Sequence, residues 1–227
     1  MSLSFFPILA GATLRDRLIA CVGGLVGVML TSLVSAAALH GLAPLPLLVA
    51  PIGASAVLVF AVPASPLAQP WSMVGGNVVS ALVGVTAARF IPVPSLAVGV
   101  AVGGAILAMS LLRCLHPPGG AVALTAVIGG PAVLGAGYAF TFVPVGINSV
   151  ILVLAGVAFH KASGHSYPHR AIPIAGHELA ASELGVPHPA DIDLALADLG
   201  ETFDVSREDL DLLFRRVEFH AAERVKS

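Results

Sequence analysis

Leu115-His-Pro-Pro-Gly-Gly-Ala-Val-Ala-Leu124 decides how this chain folds, because it interrupts a long apolar sequence at a point where no straight helix can continue. Pro117 and Pro118 have no amide hydrogen to give to a helix interior and are suited to a first helical turn, so a new helix starts there. An earlier stretch has the same form. Pro51-Ile-Gly-Ala-Ser-Ala-Val-Leu58 aligns without gaps on Pro117-Pro-Gly-Gly-Ala-Val-Ala-Leu124. Each follows one clean apolar span and precedes another, and the spans that follow carry Gly76-Asn77 and Gly146-Ile-Asn148. The chain is therefore a unit of span, broken element and span, used twice, over about 17–90 and 95–160.

Working outward, 57% of the residues are hydrophobic and 11% charged, with a mean hydropathy of +0.95. A soluble domain carries about 25% charged residues, so this is an integral membrane protein. A net charge of −2 says nothing about nucleic acid, and no basic cluster is dense enough to suggest it as a partner. Cys21 and Cys114 lie in apolar segments and fit neither metal nor disulfide spacing, which leaves them as small packing residues. The N-terminus lacks a basic region followed by a cleavage site, so the first span is expected to drive insertion.

Thr13-Leu-Arg-Asp16 has the form of a helix start. The first span runs from about Leu18 to Leu39, long enough to cross hydrocarbon. A second apolar element, Leu45 to Val62, is interrupted by Pro46, Pro51 and Gly53; a third begins near Trp71, an interfacial anchor, and reaches Phe90. Ser95 to Leu115 makes a fourth, and after the broken stretch a last span covers about Gly137 to Phe159. The expected fold is an all-α helical membrane bundle of four full spans plus two broken elements, an inverted repeat with a short soluble helical tail. If the broken elements cross, three crossings per unit turn the second copy upside down, the plan of many transporters; if they are re-entrant loops, four spans remain. Either way the termini share a side. Arg15, Arg17, Lys161 and Arg170 flank the membrane domain there, so that side is expected to be cytoplasmic, in a multi-pass protein of the inner membrane. The expected division is an N-terminal segment over 1–16, a transmembrane domain over 17–160 and a cytoplasmic tail over 161–227. In that tail Ile192 to Leu199 is amphipathic, and Ser206-Arg-Glu-Asp209 caps a helix whose Leu210, Leu213, Phe214 and Val217 share a stripe.

Between Arg17 and Glu178 there is no aspartate or glutamate, and in the apolar stretch that opens this interval the full charges are Arg89 and Arg113. Coupling of cations through a buried carboxylate has no candidate residue, whereas basic residues in hydrocarbon suit anions. Arg89, just before Ile91-Pro92, is placed to snorkel to headgroups; Arg113 is closer to the broken element. Helix starts after Pro51 and after Pro117-Pro118 would aim backbone donors at one place and form an anion site without a fixed cation. Gly53, Gly119 and Gly120 would allow close approach, Ser55 and His116 could add side-chain hydrogen bonds, Gln69 could donate through its amide, and Ala54, Asn77 and Asn148 complete the candidate set. His160, His165 and His169 have roughly metal-like spacing, yet no cysteine or acid accompanies them, and membrane-surface contact is preferred. Neither a metal nor another cofactor is expected.

These residues carry a resemblance. Leu115 to Leu124, Gly53-Ala-Ser-Ala-Val-Leu-Val-Phe60 and Ser65-Pro-Leu-Ala-Gln-Pro70, in that context, resemble the HPP family of integral membrane proteins over about Arg15 to His169. The resemblance implies a membrane domain described with four spans, with core motifs at Gly53, Ala54 and Ser55, at Gln69-Pro70 with Gly75-Gly76-Asn77, and at His116, Pro117, Pro118, Gly119 and Gly120. Plant and cyanobacterial relatives are associated with nitrite transport. Many bacterial members carry a CBS pair after a linker like Asp191 to Val225, and this sequence ends where that pair would begin. Trp71 stands where nitrite-linked relatives tend to have a basic residue, a departure that bears on the substrate.

The expected function is a transporter or channel for a small inorganic anion, nitrite first. The alternatives are a sensor or scaffold that signals through its tail, and a pore for a small neutral solute. No paired acid and base or activated nucleophile marks an enzyme. Small-residue faces at Gly23-Gly24 with Gly27, and at Gly99 with Gly103-Gly104, suggest close helix packing, and a homo-oligomer in contact with membrane lipids is expected.

Overall fold

The computed structural model describes residues 13–38, 48–169, 189–199 and, within 210–217, all but 212 and 216. The chain divides into two compact units, Ile19–His169 and a second made of Met1–Leu18 with Arg170–Ser227. Among the described residues the regular structure is helical throughout: α1 (Leu14–Ala38), α2 (Pro51–Ala61), α3 (Pro70–Phe90), α4 (Pro94–Leu111), α5 (Pro117–Ile128), α6 (Gly130–Ala136), α7 (Ile147–Ser163) and α8 (Pro189–Leu199). Four stretches are long and apolar enough to span a membrane: α1, α3, α4, and Thr141–Gly146 joined to α7. The all-α bundle expected from the sequence is the one found.

Helix ends follow local chemistry. α1 opens on a reciprocal cap, in which the Asp16 amide donates to Thr13 Oγ1 at 3.2 Å and the Thr13 amide donates to Asp16 Oδ2 at 3.0 Å. Helices α2, α3, α4 and α5 each begin at a proline. α4 stops at Leu111, earlier than the expected Leu115. There Arg113 adopts a left-handed φ of 54°, its amide donates to Ser110 O at 3.2 Å and the Cys114 amide donates to Met109 O at 2.9 Å. That pair of bonds is a Schellman closure, made here without the usual glycine. The last span also differs from expectation: Thr141–Gly146 forms a wider turn with non-helical backbone at Val143, and α7 proper starts at Ile147.

Contacts within Ile19–His169 fix the direction of each helix. α7 runs antiparallel to α1, since Asn148 Nδ2 donates to Ser35 Oγ at 2.7 Å while Gly23 lies against Phe159. α2 runs parallel to α7: the Val49 amide, just ahead of α2, donates to Asn148 Oδ1 at 3.0 Å, and His160 Nε2 donates to Val59 O at 2.8 Å. α3 starts beside the end of α7, where Tyr167 donates to Ala68 O at 2.9 Å, and finishes beside Tyr138, whose hydroxyl lies 3.1 Å from Thr86 Oγ1. α4 returns, because Trp71 Nε1 at the start of α3 donates to Leu112 O at 3.2 Å. α5 is parallel to α3, with Gly76 against His116, Ser80 against Gly119 and Gly84 against Ala123.

The broken elements thereby run from one end of the bundle toward the other. α1 ends at the far end and α3 starts at the end where α7 finishes, so α2 must pass between the two ends; the same holds for α5 with α6 between α4 and α7. Among the described residues, four stretches have the length and apolarity of a membrane span, or five if α5 and α6 are taken as one bent span. At 1.5 Å per residue α2 and α5 are only about 17 Å long, and α5 reaches α6 through a 95° bend.

The helices form two groups of three, α3 with α4 and α5, and α7 with α1 and α2. Within each group a long helix is flanked by one antiparallel long helix and one parallel short helix, and α3 and α7 are themselves antiparallel. Each short helix therefore packs on the last helix of the other sequence unit. A close seam runs between α3 and α5, where Gly76, Ser80 and Gly84 recur every four residues and meet Gly119 and Ala123; such small-residue faces let backbones approach in lipid, where apolar burial alone gives no advantage.

In the second unit, α8 turns Ile192, Leu196 and Leu199 toward Leu210 and Phe214 around a cleft of about 380 Å³. The residues from 210 to 217 are helical where described, and Arg215 Nε donates to Asp211 Oδ2 at 2.7 Å across one turn. The expected cap at Ser206–Asp209 lies outside the described residues.

Candidate functional site

A buried polar cluster lies where the two groups of helices meet. Ser55 comes from α2, Asn77 from α3, His116 from the residue ahead of α5, and Ser149 from α7; each is 0% exposed. Asn77 is the eighth residue of α3, so the cluster lies about 10 Å into the bundle from the end where α3 starts. The stretch from Arg113 to His116 reaches that depth as irregular backbone. Such backbone is tolerated at membrane depth only when protein encloses it, and Cys114 and His116 are both buried, lying against Gly75 and Gly76 of α3.

The hydrogen bonds can be given directions. His116 Nδ1 lies 2.8 Å from Leu67 O, which only accepts, so Nδ1 carries the proton. In the neutral ring Nε2 then accepts, and Ser55 Oγ, 2.8 Å away, donates to it. Ser149 Oγ spends its proton on Val145 O at 2.8 Å. Both serine oxygens are thus left as acceptors, and Asn77 Nδ2 supplies both, at 3.4 Å to Ser55 and 3.0 Å to Ser149. One chain of donors and acceptors therefore ties α2, α3, α5, α7 and the Pro66–Ala68 turn together. Its remaining valence is Asn77 Oδ1, a buried acceptor with no hydrogen-bond partner among the described residues.

Ser55, Asn77 and His116 are brought together; the other candidates are placed differently. Asn148 is one residue from Ser149 but turns to the opposite flank, where it bonds Val49 and Ser35. Its adjacent Ser149 takes the place beside Asn77, and neither Ser149 nor Ser35 stood out in the sequence, where serines in apolar helices are common. Gln69 donates to Pro63 O and Ser65 O, both at 2.9 Å, and accepts from the His169 amide at 2.9 Å, so its amide braces a loop. Gly119 is a glycine for packing: a Cβ there would lie 2.5 Å from Ser80 Oγ and 3.1 Å from Gly76 O. Gly120 is half-buried near Val102, Pro118 is buried, and Pro117, Gly53 and Ala54 are exposed. Arg113 is exposed at the end of α4.

The helix starts also differ from expectation. The Ile52 and Gly53 amides donate to Val49 O and Ala50 O at 3.0 Å, and the Gly119 amide donates to His116 O at 2.8 Å. Pro51, Pro117 and Pro118 have no amide hydrogen to offer. Local turns thus occupy these first donors, and the two short helices present side chains to each other.

A second buried group closes the end where α2 and α7 finish. His160 donates through Nε2 to Val59 O, capping α2, and its ring packs on Phe60, Phe159, His165 and Tyr167. Burial pushes the Tyr167 phenol up from its ordinary value. At the opposite end, Arg89 lines a recess of about 300 Å³ with Val85, Ala126, Val133, Leu134 and Gly137.

Comparison with known proteins agrees with the architecture. Residues 10–168 match the family described as HPP, transmembrane region. Two transmembrane proteins of Dictyostelium discoideum are similar, one 37% identical over 135 residues, covering 56% of this chain and 46% of the relative. The other is 38% identical over 120 residues, covering 51% of this chain and 38% of the relative. The chain thus spans less than half the length of either relative. No solved structure matches.

Proposed function

The chain belongs to the HPP family of integral membrane proteins, and from that premise we propose that it is a transporter or channel for a small inorganic anion, with nitrite the leading candidate. The observation that carries this is electrostatic. No acidic side chain lies between Arg17 and Glu178, and the two arginines stand at opposite ends of the bundle, Arg89 at the close of α3 and Arg113 at the close of α4. An unpaired cation at each mouth raises the local concentration of anions and repels cations. The Ser55, Asn77, His116 and Ser149 cluster then supplies neutral polar groups at depth, where a fixed charge would be costly. Positive residues around α1's start and α7's close favour a cytoplasmic side for both termini in an inner-membrane protein, and small-residue faces on its helices favour a homo-oligomer.

Ser55 and His116 make the contact of a nucleophile with its base, but the imidazole is oriented by a backbone carbonyl and, among the described residues, no carboxylate stands behind it. Locking α2 to α5 accounts for that contact. A second reading, a pore for a small neutral solute, draws on one observation, the Asn77 Oδ1 acceptor, which suits a hydrogen-bond donor better than an anion.

The test is uptake by purified protein in liposomes of nitrite, nitrate, chloride and formate against sodium and urea. Anion flux that falls several-fold in Arg113→Ala supports the reading; flux of urea alone selects the neutral pore, and flux of sodium refutes both.

A further inference from the structure

The directed hydrogen-bond chain leaves one free valence within this cluster, and it is an acceptor. Every hydroxyl and ring hydrogen in the cluster is committed: His116 Nδ1 to Leu67 O, Ser55 to His116 Nε2, Ser149 to Val145 O, and the Asn77 amide hydrogens to the two serines. The amide cannot be turned over to offer a donor instead, since both serine oxygens already need its NH₂ group. An incoming bare anion would meet a carbonyl oxygen there, and a repulsive contact.

We propose that the solute passes this point as a neutral weak acid, the anion together with its own proton, whose O–H is donated to Asn77 Oδ1. This rests on the anion-pathway reading and narrows its substrate class to anions of weak oxyacids, such as nitrite and formate, as against nitrate and chloride. The protein itself has no carboxylate to carry the proton across, because none lies between Arg17 and Glu178. The titratable group facing Asn77 is His116; Cys114 lies nearby against Gly75. α2 and α5 carry none, and Arg89 on α3 and His160 with Lys161 on α7 lie about three turns or more from the cluster. The proton therefore joins the anion from water at one mouth and leaves it to water at the other, so one anion and one proton move together. No covalent bond forms in the protein, and net charge transfer is zero.

The experiment uses the full chain in liposomes, with sodium nitrite, formate, nitrate and chloride as probes and protein-free vesicles as background. Nitrite and formate uptake above background is expected to rise about tenfold for each unit by which external pH is lowered, following the protonated fraction. A potential of 100 mV, worth about fifty-fold in the accumulation of a singly charged ion, is expected to leave it unchanged. Asn77→Leu, with the acceptor removed, is expected to lower that flux at least tenfold. Flux of nitrate or chloride driven by voltage overturns the proposal while leaving an anion pathway in place; no flux of any probe overturns both. Undiminished weak-acid flux in Asn77→Leu also overturns it, showing that Oδ1 holds a fixed water only. If that variant does not fold, the pH and voltage dependence of the unaltered protein decides.

Discussion

Gly76 and Gly119 are glycines because of what stands opposite them. A Cβ on Gly76 would lie 2.6 Å from His116 Cβ and 2.7 Å from Cys114 O, and neither neighbour can swing aside as a flexible side chain could. Alanine in a helix gains about 1 kcal/mol over glycine, but overpacking costs about 1–3 kcal/mol, so the clash wins. Gly76→Ala and Gly119→Ala are expected to lower thermal stability in detergent, whereas Gly99→Ala, with open space around its Cβ, is expected to leave it unchanged or raise it. His116→Ala would strand Leu67 O and Ser55 Oγ in a dry interior, at about 2–4 kcal/mol. A fall in melting temperature of that order, read by tryptophan fluorescence from Trp71, checks this. At this scale the sequence was partly legible. His116, Ser55 and Asn77 stood out by residue type and motif, but Ser149 is distinguished from Asn148 only by which side of α7 it occupies, a matter of tertiary packing.

At the scale of elements, proline made the short helices readable. Pro51, Pro70, Pro94 and Pro117 each open a helix, and the starts at Pro51 and Pro117 could be placed because proline fits the first turn and little else. The close of α4 was harder, because a Schellman closure signals itself by glycine and here Arg113 takes the left-handed position. Relieving that backbone with Arg113→Gly is expected to stabilise the fold by about 1 kcal/mol while removing the cation from the mouth. A variant that melts higher yet transports less would separate the two roles of this residue; one that melts lower would show that the side chain itself supports the turn. The first-turn amides were misjudged for a related reason: whether a helix start has free donors depends on the turn ahead of it. Here Val49, Ala50 and His116 supply the acceptors.

At the scale of the whole membrane unit, the matching broken elements implied two related halves, while the exchange between them emerged only from contacts: α2 lies along α7, and α5 along α3. Such an exchange binds both sequence units into each group of helices, so neither unit should fold alone. Expression of residues 1–93 or 94–169 separately is expected to give no monodisperse protein, and co-expression to restore it. The helical residues of α8 and 210–217 belong to a separate compact unit, so removing 189–227 is expected to leave transport in place; loss of transport would give that unit a part in the pathway itself. The most direct test of the account is anion uptake through the polar cluster, comparing the unaltered protein with Ser55→Asp in liposomes after both are shown to be monodisperse. The account predicts saturable nitrite flux that falls at least tenfold when a carboxylate is placed in the buried cluster. Undiminished flux in a folded Ser55→Asp protein, or no anion flux in the unaltered one, would contradict it.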